Sequence, residues 1–351
     1  MYRWAFRLLA TALLVLPLTA CSGSDTPTKG NEGQPKGRLA SVLSRGKLIC
    51  GVSGELPGFS FVGQDGKYSG LDVDVCRAIA AALFDNPDAV EFRNLNAKER
   101  FTAVQTGEVD VLSRNTTMTL SRDTSVGLEF APVIFYDGQG IMVRKASGIK
   151  TLADLKGKSI CIQTGTTTEQ NLTDQMRKQG IPYTPVVFED VNTTFATYAE
   201  GRCDAVTADR SQLISRRTTQ TKPDDHAILE QVLSKEPLAP AIADGDATWS
   251  HVLRWVVYTL MEAEELNISS QTVTQQVNSK DPTVQRFLGT AGDLGKGMGL
   301  SNDFTVRIIK HVGNYSEVYD RNLGPKTKLN LPRGRNMLWT NGGLLFSPPF
   351  R

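Results

Sequence analysis

What most constrains the fold of this chain is an alternation of short apolar runs with amphipathic stretches, and the alternation occurs twice. In the first pass, Leu48-Ile49-Cys50-Gly51-Val52 has the length and composition of a buried strand. From Leu71 to Leu83, Leu71, Val75, Ile79 and Ala82 recur at three to four residues, the period of one helix face. Val90-Glu91-Phe92 reads as a strand. Asn96-Ala97-Lys98-Glu99 has the form of a capping box opening a helix through Thr106, with Gly107 as its stop. Asp110 to Ser113 is the next strand. The second pass begins with Thr151-Leu152-Ala153-Asp154, again of capping-box form, and a strand at Lys158–Ile162. A helix runs from about Glu169 to Lys178, before Gly180. Pro185–Phe188 is a strand, Thr193–Glu200 a helix stopped by Gly201, and Asp204–Thr207 a strand. Such alternation predicts mostly parallel sheets flanked by helices, here in two α/β units. The tail from Ala247 is helical and then loop-rich, and it ends in the aromatic, Gly- and Pro-dense Asn336–Arg351, which shows no period.

The length of 351 residues agrees with two domains, and 40% hydrophobic with 22% charged residues is ordinary globular composition. Lys+Arg total 39 against 37 for Asp+Glu, so the positive excess of a nucleic-acid-binding surface is missing. His226, His251 and His311 are the only histidines, too few for a His-rich metal site or a histidine proton relay. No metal and no cofactor are expected.

The N-terminus reads as an export signal. Arg3 and Arg7 precede an apolar stretch from Leu8 to Leu18 that is too short to span a bilayer comfortably. Leu18-Thr19-Ala20-Cys21 then resembles the bacterial lipobox, which implies cleavage after residue 20 and a lipid on Cys21. Residues 21–38 hold no large apolar side chain and cannot bury enough surface to offset their ordering entropy, so they are expected to be a flexible tether. The body would thus sit outside a membrane, periplasmic or at the cell surface. In that oxidising setting Cys50, Cys76, Cys161 and Cys203 are candidates for two disulfides, with three pairings open.

Two α/β lobes place a ligand crevice at the C-terminal ends of their strands. The loops there are 53–60, 113–122, 163–168 and 208–211, and they supply hydroxyls, backbone N–H groups, Arg114, Arg122 and the acid Asp209. A guanidinium can hold a carboxylate with two parallel hydrogen bonds, and a helix start at Thr166–Thr168 offers free N–H groups to the same anion. Asp209 can hold an ammonium. Cation and anion together suit a zwitterion. Enzyme signatures do not fit: no Gly-x-Ser-x-Gly and no His-Glu-x-x-His occur, and Gly157-Lys158-Ser159 lacks the upstream glycine of a phosphate loop. Asp72 and Asp74, two apart on an early helix turn, point to different faces and read as helix-dipole and packing residues rather than a catalytic pair.

Several of these segments together resemble a known family. Gly70-Leu71-Asp72-Val73-Asp74-Val75 with Ile79-Ala80, Asn115-Thr116-Thr117-Met118-Thr119-Leu120-Ser121-Arg122, Gln163-Thr164-Gly165-Thr166-Thr167, and Asp204-Ala205-Val206 with Asp209 resemble, in order, the motifs of the extracellular solute-binding proteins, family 3, of polar amino acid ABC transporters. Pro57–Ser60, Arg114–Thr117, Tyr136–Gly140 and Asn336–Arg351 resemble its general L-amino acid-binding branch. The resemblance implies a two-lobed, type II periplasmic-binding-protein-like clamshell that binds L-amino acids and delivers them to a membrane permease. It implies lobe 1 over 39–139 and 239–351 and lobe 2 over 140–238. By the family pattern Arg122 holds the α-carboxylate with Thr117, Thr166 and Thr167. Asp209 and the backbone near Asn115 take the α-ammonium, and Phe59, Glu55 and Arg114 line the side-chain end. Thr167 stands where the family often has glycine, so a hydroxyl joins the N–H there, and the chain after about residue 270 is longer than in short members. Two other readings use the same fold: a dehydratase-like periplasmic enzyme, and a ligand-sensing module.

Within this two-lobed reading each lobe closes a local bridge, Cys50 with Cys76 and Cys161 with Cys203. The chain is expected to cross between lobes at Gly138–Gly140, where glycines absorb dihedral change, and to return at Pro237–Pro240.

Overall fold

The computed structural model describes residues 37–351. The expected signal peptide, the Cys21 lipidation site and the tether up to residue 36 lie outside the described residues. The last two residues of the expected tether are corrected: Gly37 and Arg38 open a helix, Gly37–Arg45. That helix is fastened to the body, since Arg38 N donates to Asp246 Oδ2 at 2.7 Å and Arg45 pairs with Asp110.

Two five-stranded sheets carry the fold. In the first, the spatial order is Val90–Asn94, Leu48–Val52, Val111–Leu112, Ala241–Ala243, Leu128–Phe130. In the second it is Thr184–Phe188, Ser159–Gln163, Ala205–Asp209, Gln139–Arg144, His226–Ile228. The first three strands of each sheet are parallel; the fourth runs against them, and the fifth runs against the fourth. Each reversed strand is the one that has just arrived from the other lobe, which is why a βαβ pattern alone does not announce it. The two crossings lie side by side: Glu236–Leu238 pairs antiparallel with Phe135–Asp137, with Glu236 opposite Asp137 and Leu238 opposite Phe135.

Local chemistry explains the element starts. Gly70, at φ +129°, precedes the helix Leu71–Phe84, and any Cβ there would meet Phe59 O at 2.1 Å. The reciprocal bonds expected at Asn96 and Glu99 exist, Glu99 N to Asn96 Oδ1 at 2.9 Å and Asn96 N to Glu99 Oε1 at 2.6 Å, but residues 97–99 form a turn and the helix proper begins at Arg100. At Thr151–Asp154 only a short 3-10 turn forms; Asp154 accepts from Thr151 N and Lys150 N, and no reciprocal bond follows. Gly138 is also required by packing: a Cβ there would meet Val232 Cγ1 at 2.5 Å and Ser234 O at 2.9 Å, where the return chain lies against this crossing.

The cores differ in size. The first lobe's core continues from the Leu71–Phe84 helix into the helices Ala247–Glu265, Phe304–Val312 and Tyr315–Asn322, with Trp249, Phe287 and Tyr319 fully buried. The second lobe's sheet is covered by two smaller clusters, one around Leu155 and Leu172 and one around Tyr198 and Leu213. Each lobe carries its own disulfide, Cys50–Cys76 and Cys161–Cys203, with Cα atoms 6.3 and 5.7 Å apart. The aperiodic C-terminus is a strap over the first lobe. Phe350 packs edge-on to Trp255 and Phe287, and the Asn336 side chain bonds both backbone groups of Tyr136, on the first crossing strand.

Candidate functional site

A buried cavity lies between the two sheets at the C-terminal ends of their parallel strands. Arg100, Arg114, Asn115, Thr117, Thr166, Thr167, Thr168 and Asp209 line it, together with Ser53, Leu56 and Gln163. Six of the expected residues thus meet at one place: Arg114, Asn115 and Thr117 from the first lobe, and Thr166, Thr167 and Asp209 from the second.

On the first-lobe wall, Asn115 adopts φ +32°, a left-handed conformation that costs energy in a residue with a Cβ. Its backbone N–H donates to Asp72 Oδ2 at 3.0 Å. Asp72 therefore holds the binding loop rather than serving the helix dipole alone. Burial raises its carboxyl to about 6, against the pull of the Asn115 N–H and of Arg114. Arg114 Nε donates to Leu95 O at 2.7 Å, and burial lowers its guanidinium to about 10. Arg122 stands behind the wall. Its Nη1 donates to Thr117 O at 2.7 Å and its guanidinium lies over the Phe101 ring, 5.0 Å from the centroid. Burial pushes it below its ordinary range, while Glu236 and Asp209 pull it back up.

On the second-lobe wall, Thr166 caps the helix Thr167–Lys178, accepting from Glu169 N, so that helix's first N–H groups face the cavity. Gln139, fully buried, ties the same helix start down by donating to Thr168 O at 2.9 Å and Thr207 Oγ1 at 2.8 Å. Asp209 ends its strand just before the helix Arg210–Thr218 but makes no side-chain cap. That service falls to Asp137, which accepts from Ser211 N and Gly138 N. Asp209 is left aimed into the cavity at 6% exposure. Burial pushes its carboxyl well above the ordinary range, Asp137 and Glu236 push it further, and Arg100 and Asn115 oppose them. Asp137 is raised to about 6, chiefly by burial.

Three of the expected residues do not line the cavity: Arg122, behind its first-lobe wall, and Phe59 and Glu55. Phe59 does not line the cavity; its ring is buried in the first lobe's core, edge-on to Phe135 at 5.1 Å. Glu55 lies in an adjoining chamber with Asn94, Asn96, Glu99 and Asp190, which meets the cavity at Ser53, Arg114, Gln163 and Val191. Conversely, Arg100, Asp137 and Glu236 were not expected. Arg100 is the first residue of its helix, 3% exposed, with its Nε unpartnered. Its place after the capping box could have suggested that it points to the cleft. Nothing local marks Glu236, between Lys235 and Pro237 on the returning strand.

The cavity therefore opposes the cations Arg100 and Arg114 on one wall to the carboxylate of Asp209 on the other, with hydroxyl and N–H donors between, a donor set for a small zwitterion. Residues 48–288 match the model of the bacterial extracellular solute-binding proteins, family 3. The chain is 45% identical to the general L-amino acid-binding periplasmic protein of Rhizobium johnstonii, over 95% of this chain and 98% of that protein. It is likewise 45% identical to the glutamate/glutamine/aspartate/asparagine-binding protein of Rhodobacter capsulatus, over 89% of this chain and 93% of the relative. Among solved structures, an ABC transporter periplasmic binding protein from Brucella ovis with glutathione bound superposes with a TM-score of 0.88 at 47% identity, covering 90% of this chain and 100% of that one.

Proposed function

The chain belongs to the bacterial extracellular solute-binding proteins of family 3, and from that premise we propose that it captures L-amino acids between its lobes for an ABC transporter permease. The observation that carries the reading is the division of charge across one cavity, Arg100 and Arg114 on the first lobe and Asp209 on the second. The α-carboxylate is assigned to Arg122 and Thr117, with the Thr166–Thr167 helix start, and the α-ammonium to Asp209 beside Asn115. Ligand on one lobe alone satisfies half of its charges; closure completes them, so the ligand stabilises the closed form by the difference in contacts. The site binds and does not catalyse in this reading. The N-terminal pattern adds the last element, a lipid on Cys21 that holds the exported body to a membrane.

A second ligand class is favoured by the adjoining chamber. It continues the cavity beyond Arg114 between Glu55, Glu99 and Asp190, which leaves space past the side-chain end of a single amino acid. With glutathione in the Brucella ovis relative, this extends the reading to γ-glutamyl peptides. Calorimetry of the purified body against the twenty L-amino acids, their α-amides and glutathione tests both. Binding of free acids but not of α-amides is the expected result; no binding by any of them removes the reading. For the anchor, Cys21→Ser should move the protein from the membrane fraction to the soluble exported fraction.

A further inference from the structure

Glu236 is 1% exposed and sits where the chain returns to the first lobe. Its Oε2 accepts from Thr117 Oγ1 at 2.6 Å and Thr167 Oγ1 at 2.8 Å. Its Oε1 accepts from Asn171 Nδ2 at 2.7 Å and from Ser234 Oγ. Among the described residues no ion pair reaches it. A buried carboxylate held only by neutral donors is unusual, because charge is normally buried against charge. Four donors explain how it is tolerated, and their origin gives it a role. Thr117 belongs to the first lobe, and Thr167 and Asn171 belong to the first two turns of the second lobe's Thr167–Lys178 helix. One side chain thus fastens the two lobes across the cleft. Thr117 and Thr167 are also the hydroxyls assigned above to the ligand's α-carboxylate.

We infer that Glu236 is a built-in stand-in for the ligand's carboxylate: it occupies the Thr117 and Thr167 hydroxyls in the empty protein, latches the lobes together, and must be displaced when an amino acid binds. The inference rests on the binding reading above. A latch of this kind lowers apparent affinity by the fraction of protein it holds closed and empty, and it sets a threshold: a ligand lacking a free carboxylate cannot win the hydroxyls back. The carboxylate of Glu236 also faces the other charged groups of the cleft, Arg122 on the first lobe and Asp137 and Asp209 at the crossing and second lobe.

Asn171 holds the latch but has no assigned contact with the ligand, so Asn171→Ala tests it gently, and Glu236→Ala tests it fully. In small-angle scattering without ligand, both variants should show a larger radius of gyration than the wild type, Glu236→Ala the larger. In calorimetry with L-glutamine as probe, both should bind roughly three- to tenfold more tightly than the wild type. An unchanged radius of gyration in ligand-free Glu236→Ala with an intact fold overturns the latch. Weaker L-glutamine binding by Asn171→Ala also overturns it, since it would make the network part of the ligand's grip. If the wild type binds no amino acid, the binding reading fails, while the ligand-free scattering still decides whether Glu236 joins the lobes.

Discussion

The two sheets have the same strand order and the same reversed fourth strand, yet the lobes built on them differ in charge and in support. At the cleft the first lobe presents Arg100 and Arg114, with Arg122 behind, while the second lobe and the crossing present Asp209, Asp137 and Glu236. Behind the cleft the first sheet is buttressed by the returning chain from Leu238 to Phe350, whereas the second relies on two small clusters. Topology is therefore shared and chemistry divided: a repeated scaffold supplies two matching edges, and the loops at those edges set the charge each one presents.

Four measurements can break or sharpen this contrast. The largest effect should come from the cationic jaw. Arg122→Ala should weaken amino acid binding by about 2–5 kcal/mol, because the α-carboxylate loses its guanidinium in a desolvated site. Arg122→Lys should recover only part of it, lacking the planar fork. Calorimetry on folded variants checks both, and unchanged affinity would remove Arg122 from the site. Next, loss of either disulfide should cost about 2–4 kcal/mol of stability. The bridges span 26 and 42 residues, so their loop terms are similar. The lobe with the smaller core should nonetheless suffer more. Chemical denaturation of Cys161→Ser/Cys203→Ser against Cys50→Ser/Cys76→Ser compares them, and a more damaged first lobe would contradict the asymmetry of support.

On the acidic jaw, Asp209→Ala should weaken binding by about 1–3 kcal/mol, the loss of a charge-assisted hydrogen bond. It should also reduce the contraction that saturating ligand produces in solution scattering. A variant that binds as the wild type does would free Asp209 of the ammonium. The smallest effect is the pH dependence. Burial and like charge raise Asp209 well above its ordinary value, and Asp137 to about 6. An ammonium favours the ionised form and lowers those values, so binding releases protons. Affinity should rise with pH through the range in which the raised carboxyl of Asp209 ionises and level off above it. Asp209→Asn should flatten the profile, and a wild-type profile that falls with pH would reverse the assignment.

The elements whose stability is local were the ones legible in the sequence. Leu48–Val52 and the helix after Gly70 carry their period and their breaker within a few residues, and Thr166, Thr117 and Asp209 sit at fixed offsets from such signals. Residues that act through tertiary approach were not legible. Phe59 and Arg100 both lie in cleft-proximal segments, yet one ring turns into the core and one guanidinium into the cavity, a choice made by packing partners far along the chain. At Gly138 the sequence shows only a permissive residue, whereas the lack of room for a side chain beside Val232 and Ser234 O comes from chain almost a hundred residues on. Glu236 acquires its role from Thr117 and Thr167, 119 and 69 residues away.

The pairing of Glu236 with Asp137 has a consequence for how such a molecule can be assembled. Everything between those residues leaves the first lobe and comes back to the point where it left. In genetic terms the second lobe is an insert whose two ends meet. A cut-and-rejoin across Asp137 and Glu236 would need only a turn's worth of new residues to close either fragment. The same geometry is what an exchange of this segment between relatives would need, with one jaw replaced while the other kept its strap.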